Sequence, residues 1–168
     1  ELDKALEYYN KSLTIRLNTL GENHPDVAAS YYNIGNVYDN KGESDKALEY
    51  HNKSLTIRLN TLGENHPDVA YSLHNMAIVY RDKCELHAAI DLFNKALTIK
   101  RQVLGENHSS FADSLCDIGL TFRLQGATAK AHEYLIQSLT IYKVTLGENH
   151  PHFAETLNNI ALVYQDRG

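Results

Sequence analysis

Four of the nine histidines recur at one position of a repeated segment, a pattern in which imidazole groups could ligate a metal ion. His24, His66, His108 and His150 each end a Leu-Gly-Glu-Asn-His segment. A shared zinc ion needs each ligating nitrogen at about 2 Å. One histidine per repeated unit implies separations of roughly 10 Å between packed helices, so the four rings cannot meet at one ion. We therefore expect them to cap the helix that follows, and we expect no metal site.

Motifs for catalysis are missing from the chain. It contains no G-x-x-x-x-G-K phosphate loop, no H-E-x-x-H metal motif and no G-x-S-x-G nucleophile elbow. His150 and His152 are close in sequence but have no evident third ligand. Cys116 has no identifiable base or orienting group, so it is interpreted as an ordinary helix residue. We expect a non-enzymatic protein that uses no cofactor.

The charge balance opposes a nucleic-acid partner. The chain has 168 residues and a formal net charge of −5, whereas phosphate binding depends on clustered lysine and arginine. Apolar runs such as 78–80 are far shorter than the roughly 20 residues that cross a bilayer. The two cysteines indicate neither a disulfide framework nor a zinc motif. We expect no nucleic-acid or membrane partner, and a cytoplasmic location.

The chain is four copies of one 42-residue unit. The segment Leu-Gly-Glu-Asn-His begins at Leu20, Leu62, Leu104 and Leu146, and the surrounding positions align without gaps. Apolar residues recur at helical spacing, which predicts a helix A and a longer helix B in each unit. Helix B is expected near 2–19, 44–61, 86–103 and 128–145, and helix A near 25–40, 67–82, 109–124 and 151–167. The linkers between repeats are expected near 20–25, 62–67, 104–109 and 146–151.

Glycine and proline mark the ends of these helices. Pro67 suits a first helical turn, where its missing N–H has no partner. Glycines follow the helices at two kinds of turn, and we expect them in the left-handed conformation that ends a helix. They are Gly21, Gly63, Gly105 and Gly147 at one turn and Gly42, Gly126 and Gly168 at the other. Cys84 replaces glycine once.

The unit closely resembles the tetratricopeptide repeat, whose pattern of about 34 residues reads W-x2-L-G-x2-Y, then A-x3-F, then P. The slots are filled by Tyr31, Ile34, Gly35, Tyr38 and Ala47, and in the next copy by Leu73, Met76, Ala77, Tyr80, Ala89 and Phe93. The closing proline is missing, and about eight extra residues extend helix B by two turns. With its Leu-Gly-Glu-Asn-His-Pro linker, the 42-residue form resembles the arrays of kinesin light chains and nephrocystin-like proteins.

This resemblance implies an all-α fold, a right-handed superhelical α-solenoid of eight helices in antiparallel pairs. The whole chain, 1–168, is then one repeat domain, and we expect it to be a segment of a longer array. Such arrays serve as adaptors and scaffolds that bind other proteins, or as sensor regions attached to enzymes. Two functions therefore stay open: a protein-binding scaffold, and a structural, self-assembling or regulatory segment of a larger protein.

In the family, the A helices line the concave surface and contact the ligand. The positions carried over by the resemblance are Asn33, Asn36, Asn75, Ile78, Arg81, Asp117, Leu120, Arg123, Asn159 and Leu162. Asn33, Asn75 and Asn159 form a ladder of amides that Asp117 interrupts, and an amide both donates and accepts, as a peptide backbone does. Alternatively, these amides tie adjacent A helices together or face water.

The same positions argue against an acidic partner. Some family members hold the acidic tails of chaperones with lysine and arginine, but the corresponding residues here are Tyr32, Asp113 and Asp117. Repulsion would replace the attraction to a carboxylate. We expect a protein or peptide partner that is neutral or basic and has an apolar anchor.

The terminal helices should each leave an apolar stripe uncovered. We expect exposed Leu6, Leu13, Leu17 and Leu20 at the front, and exposed Leu157, Ile160, Ala161 and Tyr164 at the back. Each stripe is complementary to a copy of the other, which predicts end-to-end self-association of a heterologous kind.

Overall fold

A computed structural model describes all 168 residues as eight α-helices without strands. The helices are α1 (Leu2–Leu20), α2 (Pro25–Asn40), α3 (Ser44–Leu62), α4 (Pro67–Asp82), α5 (Leu86–Leu104), α6 (Ser109–Leu124), α7 (Thr128–Thr145) and α8 (Pro151–Gln165). The odd-numbered helices are the predicted B helices and the even-numbered ones the A helices. The predicted all-α solenoid of eight helices is confirmed, and each helix ends within two residues of its predicted bound.

Each A helix begins with the side-chain cap expected of the linker histidines. The Nδ1 atoms of His24, His66 and His108 each accept a hydrogen bond of 3.1 Å from the backbone N–H two residues later. His150 caps α8 in the same way at 3.2 Å. One of the four unpaired N–H groups of each helix start is thereby satisfied, and the rings are held apart, one at each linker.

The linker glycines have a different conformation from the one expected. Gly21, Gly63 and Gly105 have φ near +84°, but their ψ angles of 163° to 165° are extended rather than left-handed helical. This region of backbone space is open essentially only to glycine. The expectation of a left-handed helical cap is therefore wrong at these linkers, because the chain must turn into the extended residue that precedes the next helix. At the other turn, Cys84 has φ +61° where its counterparts are glycines.

The core lies between each A helix and the B helices on either side of it. A small residue on helix A admits a large side chain from the following helix B. A Cβ atom added at Gly119 would lie only 2.8 Å from the Leu135 side chain. Ala77 occupies the same repeat position and lies in one cluster with the fully buried Phe93. Gly35 packs in the same way on His51. The close approach at this slot fixes the spacing between successive repeats.

The exposed stripe of the first helix differs from the predicted one. Leu6 and Leu13 are buried, because they pack on α2, and Leu17 is half-buried. The uncovered face carries Tyr8 and Ile15 instead, together with Leu20. Ile160 on α8 is likewise buried. The prediction of exposure was therefore wrong for three of these leucines and for Ile160, and right for Leu20, Leu157, Ala161 and Tyr164.

None of the eight helices combines the length and the apolarity that crossing a membrane requires.

Candidate functional site

The A helices lie side by side, and hydrogen bonds between their side chains connect α2 to α4, α4 to α6 and α6 to α8. We call the surface formed by these four helices the helix-A surface. It carries all ten predicted site residues, and the structure places some of them in contact. Asn75 donates to Asn36 at 3.1 Å, and Arg81 donates to Asp117 at 2.7 Å. Asn33 forms no side-chain hydrogen bond within the chain.

A regular register joins each A helix to the preceding one. The Nδ2 group of Asn75 donates to the hydroxyl of Tyr32 at 2.7 Å, and that of Asn159 donates to the Cys116 sulfur at 3.7 Å. In each of these pairs the two residues are 43 positions apart in the sequence. Asp117 and His74 have the same sequence separation, and Asp117 Oδ2 lies 3.2 Å from His74 Nε2. Asn75 and Asn159 therefore do tie adjacent A helices together, which is the alternative that the sequence left open.

These ties leave part of the hydrogen-bonding capacity free. Asn75 uses its amino group for Tyr32 and Asn36, and no group of the chain donates to its carbonyl oxygen. Asn36 accepts with its carbonyl oxygen, and its amino group has no partner in the chain. One free acceptor and one free donor thus lie next to each other, as the N–H and C=O groups of an extended peptide require.

Behind the middle of this surface, polar groups form a continuous chain. The buried Lys100 ammonium donates to Ser114 Oγ at 2.7 Å, and Ser114 Oγ lies 3.3 Å from His74 Nδ1. The other nitrogen of His74 faces Asp117, which also accepts from Arg81. Burial lowers the pKa of Lys100 to about 8. Burial alone would raise the pKa of Asp117, but His74 and Arg81 hold it below its usual value.

Sequence reasoning did not identify Lys100 as part of this arrangement. A signal exists in the repeat, since Arg16, Arg58 and Lys100 share one position and each bonds to a serine 14 residues later. A cation on a helix usually faces water. Only the packing of the following helix A shows that Arg58 and Lys100 are buried.

Negative charge is concentrated on the A helices. Together they contain seven carboxylates and two guanidinium groups, a formal charge of −5 that equals the net charge of the whole chain. Arg123 is paired with Asp166 at 2.6 Å, and Arg81 with Asp117. Burial and the charge of Asp82 raise the pKa of Asp39. This count covers only groups on the A helices, because the buried cations of Arg58 and Lys100 lie against α4 and α6 from the B helices.

Apolar side chains accompany the charges toward the last repeats. Leu124 and Leu162 are 60% and 36% exposed, while Ile78 and Leu120 are half-buried. A cavity of about 280 Å³ lies beside Leu120, between α6 and α8, and Cys116 lines it. Burial raises the pKa of this thiol to about 11, so it stays protonated at neutral pH. Most of the other residues that line this cavity are polar or charged, and the raised pKa disfavours a nucleophilic cysteine.

No group of three or more histidine, cysteine, aspartate or glutamate side chains comes close enough to hold a metal ion.

The family model of the tetratricopeptide repeat matches residues 1–60, 40–102 and 68–143. A comparison with curated protein sequences found no match. Among solved structures, BtubC (BKLC) from P. vanneervenii is similar, with a TM-score of 0.88 and 24% identity over 99% of this chain and 66% of that chain. A crystal structure of a variant of the Podosopora anserina putative kinesin light chain nearly identical TPR-like repeats has a TM-score of 0.83 and 26% identity, over 99% of this chain and 79% of that chain.

A more distant structure shows the same fold. The N-terminal domain of stress-induced protein-1 (STI-1) from C. elegans has a TM-score of 0.61 and 17% identity, over 82% of this chain and 96% of that domain. The 42-residue period, the helix pairs and the small-residue slots agree with the match to the family model, which extends over more than half of the chain. The chain therefore belongs to the tetratricopeptide repeat family, and its structural relatives include kinesin light chain-like arrays.

Proposed function

We propose that the chain is a non-enzymatic scaffold of the cytoplasm that binds a segment of another protein on its helix-A surface. Membership of the tetratricopeptide repeat family supports a role in protein–protein interaction. We choose this surface because the side-chain carbonyl oxygen of Asn75 is a free acceptor and the amino group of the neighbouring Asn36 is a free donor. The bound segment is neutral or basic, because the A helices carry a formal charge of −5. Its apolar anchor lies against Ile78, Leu120 and Leu162.

Replacing Asn33, Asn75 and Asn159 together by alanine is expected to weaken binding of a display-selected peptide by about 10- to 1,000-fold. Each lost amide contact costs about 0.5–1.5 kcal/mol. Dissociation constants from isothermal titration calorimetry measure the effect, and circular dichroism checks that the variant is folded.

A matched control replaces three exposed asparagines of the B helices, namely Asn18, Asn60 and Asn94. This variant should bind the peptide as the unchanged protein does. The assignment to the helix-A surface fails if the control loses affinity while the helix-A variant keeps it.

The second candidate, a self-assembling segment, is favoured by the two uncovered faces. Ile15 on α1 is 63% exposed, whereas Ile57 and Ile99 at the same repeat position are 7% and 8% exposed. On α8, Leu157 is 46% exposed, whereas its counterpart Leu115 on α6 is 2% exposed beneath α7. The face of α8 therefore fits a helix B such as α1, from a second copy or from a further repeat.

Weak end-to-end association is expected at high protein concentration. Sedimentation velocity should show a weight-average mass that rises with concentration, and Ile15→Glu should abolish the rise because a charge enters the contact. Thr14→Glu, at an exposed position next to it, is the control. A strictly monomeric profile at millimolar concentration argues against this assembly.

A further inference from the structure

Three equivalent grooves lie on the helix-B side of the array, one over each of α2, α4 and α6. The middle groove lies over α4, between α3 and α5, and has a volume of about 610 Å³. The first groove is similar in size, at about 630 Å³, but only two of its eight lining residues are apolar. The middle groove is lined mainly by aliphatic side chains, among them Leu55, Leu59, Leu73, Met76, Leu92 and Ile99.

In the first groove, the lining residues Tyr31 and Lys53 adjoin a second ring, that of Tyr50. The rings of Tyr31 and Tyr50 lie 6.1 Å apart. The Lys53 ammonium lies 5.8 Å from the first ring and 4.8 Å from the second. A cation held over an aromatic face in this way is a favourable contact.

In the third groove, the chain also supplies a ring and a cation. The Arg101 guanidinium lies 5.5 Å from the ring of Phe111. The same guanidinium pairs with Glu106 at 2.8 Å. A carboxylate, a cation and an aromatic ring thus occupy this copy of the groove together.

The middle groove contains neither the aromatic pair of the first groove nor the arginine and aromatic ring of the third. It keeps the lysine of the first groove as Lys95 and the glutamate of the third as Glu64. Leu73 and Leu92 stand where the first groove has Tyr31 and Tyr50. Lys95 corresponds to Lys53, but it lies over no ring and forms no ion pair. Glu64 corresponds to Glu106 and has no ion-pair partner, because Leu59 replaces the arginine. Leu59 is 37% exposed.

We propose that the middle groove is a second docking site, which takes an aromatic side chain and an adjacent basic residue from a partner protein. The aromatic ring lies on Leu73 and Leu92 beneath the Lys95 ammonium, where the first groove has its own rings. The basic residue pairs with Glu64, as Arg101 pairs with Glu106 in the third groove. Both contacts restore an arrangement that the neighbouring copies build from their own side chains.

The site is tested with three dipeptide probes, acetyl-Lys-Phe-amide, acetyl-Glu-Phe-amide and acetyl-Lys-Leu-amide, at millimolar concentration. Methyl NMR of the leucine and isoleucine residues locates and measures binding. Acetyl-Lys-Phe-amide is expected to shift the methyl signals of Leu73, Leu92 and Ile99. It should bind at least threefold more tightly than the other two probes, since one lacks the positive charge and the other lacks the ring.

The double variant Leu73→Tyr/Leu92→Tyr rebuilds the ring pair of the first groove and should abolish the shift of Ile99, the one of the three reporters that remains in it. The single variant Leu59→Arg, which supplies the arginine of the third groove, should weaken binding at least threefold. This single variant still tests the proposal if the double variant does not fold. Equal affinity for all three probes, or an unchanged affinity for acetyl-Lys-Phe-amide in a folded Leu59→Arg variant, overturns the proposal.

This site does not depend on the helix-A surface. The triple asparagine variant of that surface should bind acetyl-Lys-Phe-amide as the unchanged protein does. Shifts that depend on those asparagines would place the probe on the opposite side of the array and overturn the assignment to the groove.

Discussion

Phe93→Ala should lower the free energy of unfolding by about 3–5 kcal/mol, the usual cost of removing a fully buried ring. The Phe93 side chain has no exposed surface and belongs to the largest cluster of the core. Its ring also packs edge-on against His74, with centroids 5.2 Å apart. The variant therefore leaves a cavity and loosens the histidine that faces Asp117. Urea unfolding followed by circular dichroism measures the loss.

Tyr9→Ala is the matched control, because Tyr9 occupies the same repeat position on α1 and is only half-buried. Its loss should be less than about half as large, since part of the ring is already in water. Equal losses in the two variants would show that burial at this position does not determine the stability of the array.

His51→Phe should remove a pH dependence of stability that is worth about 3 kcal/mol between pH 6.5 and pH 4. His51 has no exposed surface, and neither ring nitrogen has a hydrogen-bond partner. Burial, assisted by the charge of Arg58, lowers the pKa of this imidazole from 6.5 to about 4. The neutral ring of Tyr32 is its other polar neighbour, at 5.6 Å between centroids.

The direction of this pH dependence follows from the number of protons that the folded and the unfolded states bind. Between pH 4 and 6.5 the unfolded chain protonates His51 and the folded protein does not, so stability falls as the pH decreases through this range. At neutral pH, the phenylalanine variant should also gain about 1–2 kcal/mol, because two buried unpaired nitrogens disappear. Phe93 occupies the repeat position of His51 and shows that a phenyl ring fits there, although Phe93 packs with Ala77 and His51 packs against Gly35.

Unfolding free energies at pH 7.5 and pH 4.5 test this for both proteins. The carboxylates titrate in both, so the difference between their two pH dependences isolates His51. Identical pH dependence would show that the imidazole is protonated in the folded protein as readily as in water.

The fold was predictable because each repeat carries the same local signals. His66 followed by Pro67 marks the start of a helix, and small residues such as Ala77 mark the close approach of two helices. These signals act within one unit or between neighbours, so four aligned copies reinforce one another. The extended backbone of Gly63 escaped prediction, because a glycine after a helix is compatible with several conformations at positive φ.

The repeat predicted that the ten candidate residues lie on the A helices, but it did not predict their contacts. The repeat places Asn75 on the helix-A surface, yet only the packed structure shows that it donates to Tyr32 and Asn36 and keeps its carbonyl oxygen free. Lys100 shows the same limit. Its sequence position resembles that of any exposed helix residue, and its burial depends on α6 from the next repeat.

The concentration of acidic groups on the A helices affects how fast a partner arrives. Since the remainder of the chain has no net charge, a basic segment of the kind proposed above would be drawn toward the A helices before any contact forms. This attraction acts over about 8 Å at physiological ionic strength and weakens as salt is added. In the proposed complex, salt should therefore slow association more than it hastens dissociation, because the apolar anchor and the amide hydrogen bonds proposed above would hold the segment after docking.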